Sequence, residues 1–373
     1  MNSKNTYNPL DKPNLKPSVL ANRLKIILSL FSPNNSESYW LDKAEQILAE
    51  AIKLCRLYNN GYVNFKEIHN LINNKNYFYE KVSYLRLEFQ KNKLNDSSIY
   101  DLYSSLNFFE NEFFSLDDRT FSILKSEISR ITNVFISDYD ILNTFSPEQS
   151  KITFDGFESL INSGKLVVLS MNIAEYRNLS KIIATYLKLD FQSEVLQRIK
   201  NKTILNSRPV AFICDEFHEY VTSTDSDFFA QSRESKCINI VATQSYSSLL
   251  NTLNNESTVK VIIQNLTNKL WFRSDDLFTI ESAQKQIGKE EKEKISTTIS
   301  ENAKETFYNY LLNDFNSINS NISESYNKYL QTDFIYDVNF FSRELETFSC
   351  ISFLSDGNKI LNPCKLNMFP YFS

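Results

Sequence analysis

Glycine is scarce in this 373-residue chain: Gly61, Gly156, Gly164, Gly288 and Gly357 are the complete set. A phosphate cradle built from successive backbone N–H groups needs several glycines close together, so the chain contains no Gly-rich loop. Gly164-Lys165 looks briefly like the end of such a loop. Leu166, however, stands where a Ser or Thr would reach Mg²⁺, and Gly156 is too far upstream to be the partner glycine. His69 and His218 are the only histidines, too few for a His-based metal cluster. The five cysteines, Cys55, Cys214, Cys237, Cys350 and Cys364, are odd in number and form no C-x-x-C pair. That pattern argues against a disulfide framework and a zinc site and suits a reducing cytosol. No run approaches the length of an apolar membrane span. A net charge of −5 gives the bulk of the chain no attraction for nucleic acid, so any DNA contact would come from a local patch or from the axis of an oligomer.

What is present is globular: 42% hydrophobic and 23% charged residues, in a length that predicts more than one domain. Pro9, Pro13 and Pro17 make the leading residues an extended segment. Leu20, Leu24, Ile27 and Leu28 then recur at helical spacing, as do Ala44, Ile47, Leu48, Ala51 and Cys55. From about Tyr62 to Ser146 the spacing stays helical without sustained alternation at two, which predicts an all-α insert over 62–146 between residues 1–61 and 147–373. After Pro147 the character changes to strands alternating with helices.

Lys165–Ser170, Val210–Cys214, Cys237–Gln244 and Lys269–Phe272 are short apolar runs separated by helix-length stretches, including a long helix over 176–200. This pattern predicts an α/β fold with a doubly wound parallel sheet in which the four runs lie side by side. Lys285–Lys304 reads as a solvated surface helix and Asn309–Lys328 as a polar loop. Ser349–Leu354, a turn at Ser355-Asp356-Gly357-Asn358 and Lys359–Leu361 read as a hairpin at a sheet edge.

Val210–Cys214 ends in Asp215-Glu216, two carboxylates at the carboxyl edge of a sheet, where open α/β folds keep their ligands. Nucleotide hydrolysis needs such a pair, one carboxylate to hold Mg²⁺ through water and one to orient or deprotonate the attacking water. A buried strand whose polar end meets solvent gives the same pattern. Gln244 is predicted at the same level on its own strand. Arg233, on the link between the two strands, could reach a neighbouring subunit's nucleotide or make a surface ion pair.

Taken together, these residues, with Phe228-Phe229, Ser232-Arg233-Glu234 and Ile240–Ser245, resemble the coupling proteins of conjugation and type IV secretion, the TraG/TraD-like RecA-like ATPases. Tyr7-Asn8-Pro9-Leu10, Tyr39-Trp40 with Ala44, Leu266–Phe272 with Ile287-Gly288, and Leu354–Gly357 extend the resemblance over nearly the whole chain. It implies a RecA-like parallel sheet flanked by helices, with 1–61 and 147–373 forming the nucleotide-binding domain around the insert. It implies ATP and Mg as cofactors, Asp215 and Glu216 as the Walker B pair, Gln244 as a sensing glutamine, and Arg233 as an arginine finger acting in trans in a homo-hexameric ring. The implied partners are single-stranded DNA, relaxosome or secreted substrate proteins, and other type IV secretion components. The implied location is the cytoplasm, at the inner face of the cell membrane. In that family the Walker A loop precedes the Asn-Pro-Leu segment, so the chain resembles the carboxyl-terminal part of a coupling protein. Two alternatives fit the same residues: a non-catalytic substrate-recognition or assembly module, and a fragment of a HerA/FtsK-like DNA translocase.

Overall fold

The computed structural model describes residues 5–31, 38–91, 96–170, 176, 178–200, 208–301, 306–309, 314–317 and 322–370. It is a mixed α/β fold that divides into two compact units, one of 1–244 with 248–265 and one of 245–247 with 266–373.

The first unit begins with eight helices: α1 (Pro17–Phe31), α2 (Ser38–Tyr58), α3 (Phe65–Asn73), α4 (Lys75–Lys91), α5 (Asp96–Asn107), α6 (Asp118–Val134), α7 (Tyr139–Phe145) and α8 (Phe157–Ser163). Their starts follow local chemistry. Asn64, Asp117 and Asp138 each accept a backbone N–H from the first turn of α3, α6 and α7, satisfying donors that the helix itself leaves orphaned. The apolar stripes read from the sequence are the core, with Leu20, Leu24 and Ile27 of α1 and Ala44, Ile47 and Leu48 of α2 fully or almost fully buried. A π-turn at Phe108–Phe113 widens the end of α5. Phe109 thereby packs against Phe78 at 5.1 Å and Phe113 at 5.8 Å.

The long helix α9 (Asn178–Lys200) is built into this core. Tyr186 stands edge-on to the stacked rings of Phe65 and Phe135, whose centroids are 3.9 Å apart. Asp190, one turn on, is fully buried and accepts from Arg23 at 2.7 Å and from the Tyr7 hydroxyl, with Lys12 3.4 Å away. The leading segment is tied down by the same cluster. Tyr7 N–H donates to Thr144 O at 2.7 Å, and Asn8 donates to Val63 O at 2.8 Å.

Two strands come next, β1 (Val210–Cys214) and β2 (Cys237–Val241), paired in parallel with Val210 opposite Cys237 and Cys214 opposite Val241. Between them runs α10 (Asp225–Gln231), and after them α11 (Tyr246–Leu253) and α12 (Glu256–Asn265). One sheet face is covered: Phe212 lies 5.8 Å from Phe191 of α9 and 6.4 Å from Phe228 of α10. The other face presents Ala211, Ile213, Ile238 and Ile240 to solvent.

The predicted strand Lys165–Ser170 is not formed. These residues have no regular structure, and Leu166 is 85% exposed. A parallel strand is stable when it is paired and covered on both faces. Among the described residues nothing pairs with this run, and the bare sheet face has no layer over it.

In the second unit, β3 (Lys269–Trp271) is not a member of the parallel sheet either. It pairs antiparallel with β8 (Ser349–Phe353), which in turn pairs with β9 (Cys364–Asn367). The turn at 355–358 is present and is closed by a bridge between Ser355 and Ile360, but the hairpin's second strand is β9 rather than Lys359–Leu361. Helix α13 (Leu277–Ile287) buries Ile280, Ala283 and Ile287 with Trp271, Phe341 and Ile351.

The predicted helix over 285–304 ends at Ile287, where Gly288 adopts φ +99° and its N–H caps Gln284 O at 2.9 Å. Beyond that glycine the chain forms β4 (Lys289–Glu301), β5 (Thr306–Asn309), β6 (Asp314–Ser317) and β7 (Ile322–Phe334), with β4 pairing β7 and β5 pairing β6, both antiparallel. The predicted loop 309–328 therefore contains strand. Residues 302–305, 310–313 and 318–321 of these two stretches lie outside the described residues. The β-branched run Ile295, Thr297, Thr298 and Ile299 outweighs the helical tendency of the Lys and Glu before it. Among the described residues no helix is long and apolar enough to cross a membrane.

Candidate functional site

The carboxyl ends of β1 and β2 lie side by side because the strands are parallel and in register. The ladder continues past both: Ala242 N–H donates to Cys214 O at 2.9 Å, and Phe217 N–H donates to Ala242 O at 2.7 Å. Asp215 and Glu216 are thereby squeezed out between two anchored backbone points. Glu216 takes φ +47°, a left-handed conformation unfavourable for a side chain of its size, and its N–H is held by Asp215 Oδ1 at 2.9 Å. The Asp215 side chain is exposed at the edge.

Gln244 stands across from this pair, its Nε2 3.4 Å from Glu216 Oε1. The other carboxylate oxygen, Glu216 Oε2, is buried without a hydrogen-bond partner and lies 3.4 Å from His218 Nδ1. That nitrogen is also 3.3 Å from Thr243 Oγ1. Glu216 and Gln244 thus share one sheet edge, as the sequence predicts.

Arg233 is not brought to this edge. It sits in the turn before β2, where Lys236 N–H donates to Arg233 O at 3.0 Å, at the amino end of the sheet. The five-residue strands separate it from Glu216 by about 15 Å.

Behind the edge is a buried polar network that the sequence reading did not single out. Lys188 of α9 donates to Tyr220 O at 2.7 Å and to Asp225 Oδ2, and Gln192, one turn along, donates to Asp225 Oδ1 at 2.7 Å. Thr222 N–H also donates to Asp225 Oδ2, at 2.6 Å. Burial holds the Lys188 ammonium below its ordinary pKa, against the opposing pull of Asp225. Burial also pushes the nearby Cys214 thiol up to about 11, leaving it inert. The network holds Tyr220, Thr222 and Asp225, the far half of the loop that follows Glu216, while Ala242 O holds its Phe217 end. Its local signal was Thr222-Ser223-Thr224-Asp225, the spacing of a helix-capping pair.

The arrangement offers one exposed carboxylate, one partly shielded carboxylate with a free buried oxygen, and an amide donor facing it. These groups suit a water-coordinated Mg²⁺ and an attacking water. Among the described residues no group of three or more His, Cys, Asp or Glu side chains could hold a metal by itself. Such an ion would need oxygen ligands from a bound phosphate as well.

Residues 209–333 match the family described as the TraM recognition site of TraD and TraG, a segment that spans β1, Asp215-Glu216, Arg233, Gln244 and most of the second unit. Over 98% of its length the chain superposes on the bacterial conjugative coupling protein TrwB in its unbound monoclinic form, with a TM-score of 0.57, 10% identity and 70% of that chain covered. Over residues 209–333 the chain is TraG/TraD-like. Structures of the plasmid coupling protein TrwB with a non-hydrolysable GTP analogue and with ADP and Mg²⁺ match equally, each with a TM-score of 0.57, 10% identity and 71% of that chain covered. At that identity the likeness to TrwB is one of fold. No curated protein sequence matches the chain significantly.

Proposed function

We propose that this TraG/TraD-like chain is a motor component of a conjugative or type IV secretion coupling machine. Its Asp215-Glu216 edge would act on a nucleotide whose phosphates are held by a loop lying outside these 373 residues. The observation that supports this most is the juxtaposition of Glu216 and Gln244 at 3.4 Å on adjacent parallel strand ends. In this reading the nucleotide brings Mg²⁺, which supplies charge neutralisation at the transferring phosphoryl group. Asp215 holds the ion through water. Glu216 takes a proton from, or orients, the attacking water with its carboxylate. Gln244 reports the state of that water through its amide. Arg233, exposed at the opposite end of the sheet, serves a neighbouring subunit's site in a homo-hexameric RecA-like ring, since it cannot serve its own. The partners are single-stranded DNA and relaxosome or secreted proteins. The helical residues 62–146 meet substrate, and the assembly works at the inner face of the cell membrane.

The lack of a Gly-rich loop favours a second reading, a substrate-recognition or assembly module that does no chemistry. A Mg²⁺-dependent ATPase assay separates the two. The chain alone is expected to be inactive, because positioning of the triphosphate contributes more than any single carboxylate. A polypeptide bearing a P-loop domain of the same family should restore turnover with the parent chain and not with Glu216→Gln. Failure of restoration with the parent favours the module. Robust turnover by the chain alone that Glu216→Gln abolishes would mean that another phosphate site exists.

A further inference from the structure

Glu216 uses its two carboxylate oxygens unequally. Oε1 faces Gln244 at the sheet edge. Oε2 is buried without a hydrogen-bond partner, and a buried acceptor on an ionised group is expensive to leave unmatched. The group brought to it is the ring of His218, with Nδ1 3.4 Å away. The surroundings fix that ring. Phe217, one residue before it, is buried and packs on Phe229 at 5.6 Å. The His218 carbonyl accepts Thr252 Oγ1 at 2.9 Å, and Glu219 N–H closes the turn onto Glu216 O at 2.8 Å. The imidazole itself is 13% exposed.

Two carboxylates compete for the ring proton. Nε2 lies 3.6 Å from Glu219 Oε1, but that carboxylate already has Lys181 at 2.8 Å and is 35% exposed to water. Nδ1 faces Glu216 Oε2, which has neither a cation nor water. Thr243 Oγ1, 3.3 Å from Nδ1, could donate to the ring only if Nδ1 were bare. The lone pairs of that nitrogen and of the carboxylate would then face each other. We propose that His218 is a positioning residue: it carries a proton on Nδ1, whether or not Nε2 also bears one, and donates it to Glu216 Oε2. Contacts of this kind are commonly long before the substrate is bound, and a small turn of the ring closes this one. Held from behind, the carboxylate keeps Oε1 toward Gln244 and the attacking water, as a base held by a third group does in other activated sites. The inference rests on the reading of Glu216 as the group that meets that water.

His69 and His218 are the only histidines, so the full chain labelled with nitrogen-15 histidine shows two ring systems, told apart by His69→Gln. Long-range proton–nitrogen spectra at about pH 8 report which ring nitrogen is protonated. Nδ1 of His218 should carry a proton in the parent and keep it in Thr243→Val. In the turnover restored by a P-loop polypeptide, His218→Asn supplies the same donor and should keep kcat within about threefold of the parent. His218→Leu should lower kcat by about tenfold or more at unchanged KM, the worth of one hydrogen bond to a charged group. A bare Nδ1 in the parent, or a proton that moves to Nε2 in Thr243→Val, would overturn the proposal. So would a His218→Leu chain as active as the parent. If no P-loop polypeptide restores turnover to the parent, the reading of Glu216 fails, while the spectra still decide whether His218 holds its carboxylate.

Discussion

Asp190→Ala is expected to cost more stability than any substitution at the sheet edge. Asp190 has no solvent exposure and answers Arg23, whose side chain is 6% exposed, at 2.7 Å. It also takes the Tyr7 hydroxyl and lies 3.4 Å from Lys12. Arg23 Nη2 already has no hydrogen-bond partner, so the carboxylate is what justifies the cation's burial. Truncating one member of a buried ion pair leaves the other uncompensated, at about 3–5 kcal/mol, against a total stability on the order of 5–15 kcal/mol. With a urea m-value near the upper end of the usual range, about 3 kcal/mol/M, the midpoint should fall by roughly 1–1.7 M. Urea unfolding followed by far-UV circular dichroism measures it. Replacing the pair by apolar side chains, Arg23→Met with Asp190→Leu, should recover part of the loss, because no buried charge then remains. A loss below about 1 kcal/mol for Asp190→Ala, or a double variant less stable than the single one, would refute the reasoning.

Two further perturbations have definite signs. Burial, and then Lys125, hold His69 below its ordinary 6.5, so the unfolded chain binds the proton more readily. Its contribution is full above about pH 6.5 and is lost as pH falls through the folded value. Urea midpoints of the parent should therefore drop more steeply between pH 7.5 and 5.5 than those of His69→Gln. Burial raises the Asp276 carboxyl, but hydrogen bonds from Ser247 and Thr279 outweigh it and keep the group below 3.8. As the N-cap of α13 it accepts Thr279 N–H at 3.0 Å. Asp276→Ala should cost about 1 kcal/mol near neutral pH, read as a lowered thermal midpoint, and the cost should vanish on acidification below 3.8 as the parent's own carboxyl protonates.

The features legible in the sequence were local ones. The stripes of α1 and α2, the strands β1 and β2 and the shared edge of Glu216 and Gln244 all depend on periodicities within a few residues. Lys165–Ser170 carries the composition of a buried strand, and composition states what a segment would bury without stating whether a covering surface exists. The Lys and Glu of 289–294 suit an exposed helix as well as a strand, and pairing with Tyr329–Phe334, some forty residues away, decided between them. Tyr7 and Asp190 meet across 183 positions with no pattern at either end, so the cluster that anchors the leading segment could only come from the fold.

The bare face of the parallel pair has a practical consequence. Ala211, Ile213, Ile238 and Ile240 face water, Leu166–Leu169 is exposed as well, and among the described residues the outer edge of β1 has no neighbour. An unpaired edge beside apolar residues is a template for adding strands from any chain that arrives. Produced by itself at high concentration, this polypeptide should therefore head for inclusion bodies. Dilute expression, chaperone supply or synthesis together with a polypeptide that covers the face should decide its soluble yield more than the stability of its helical core.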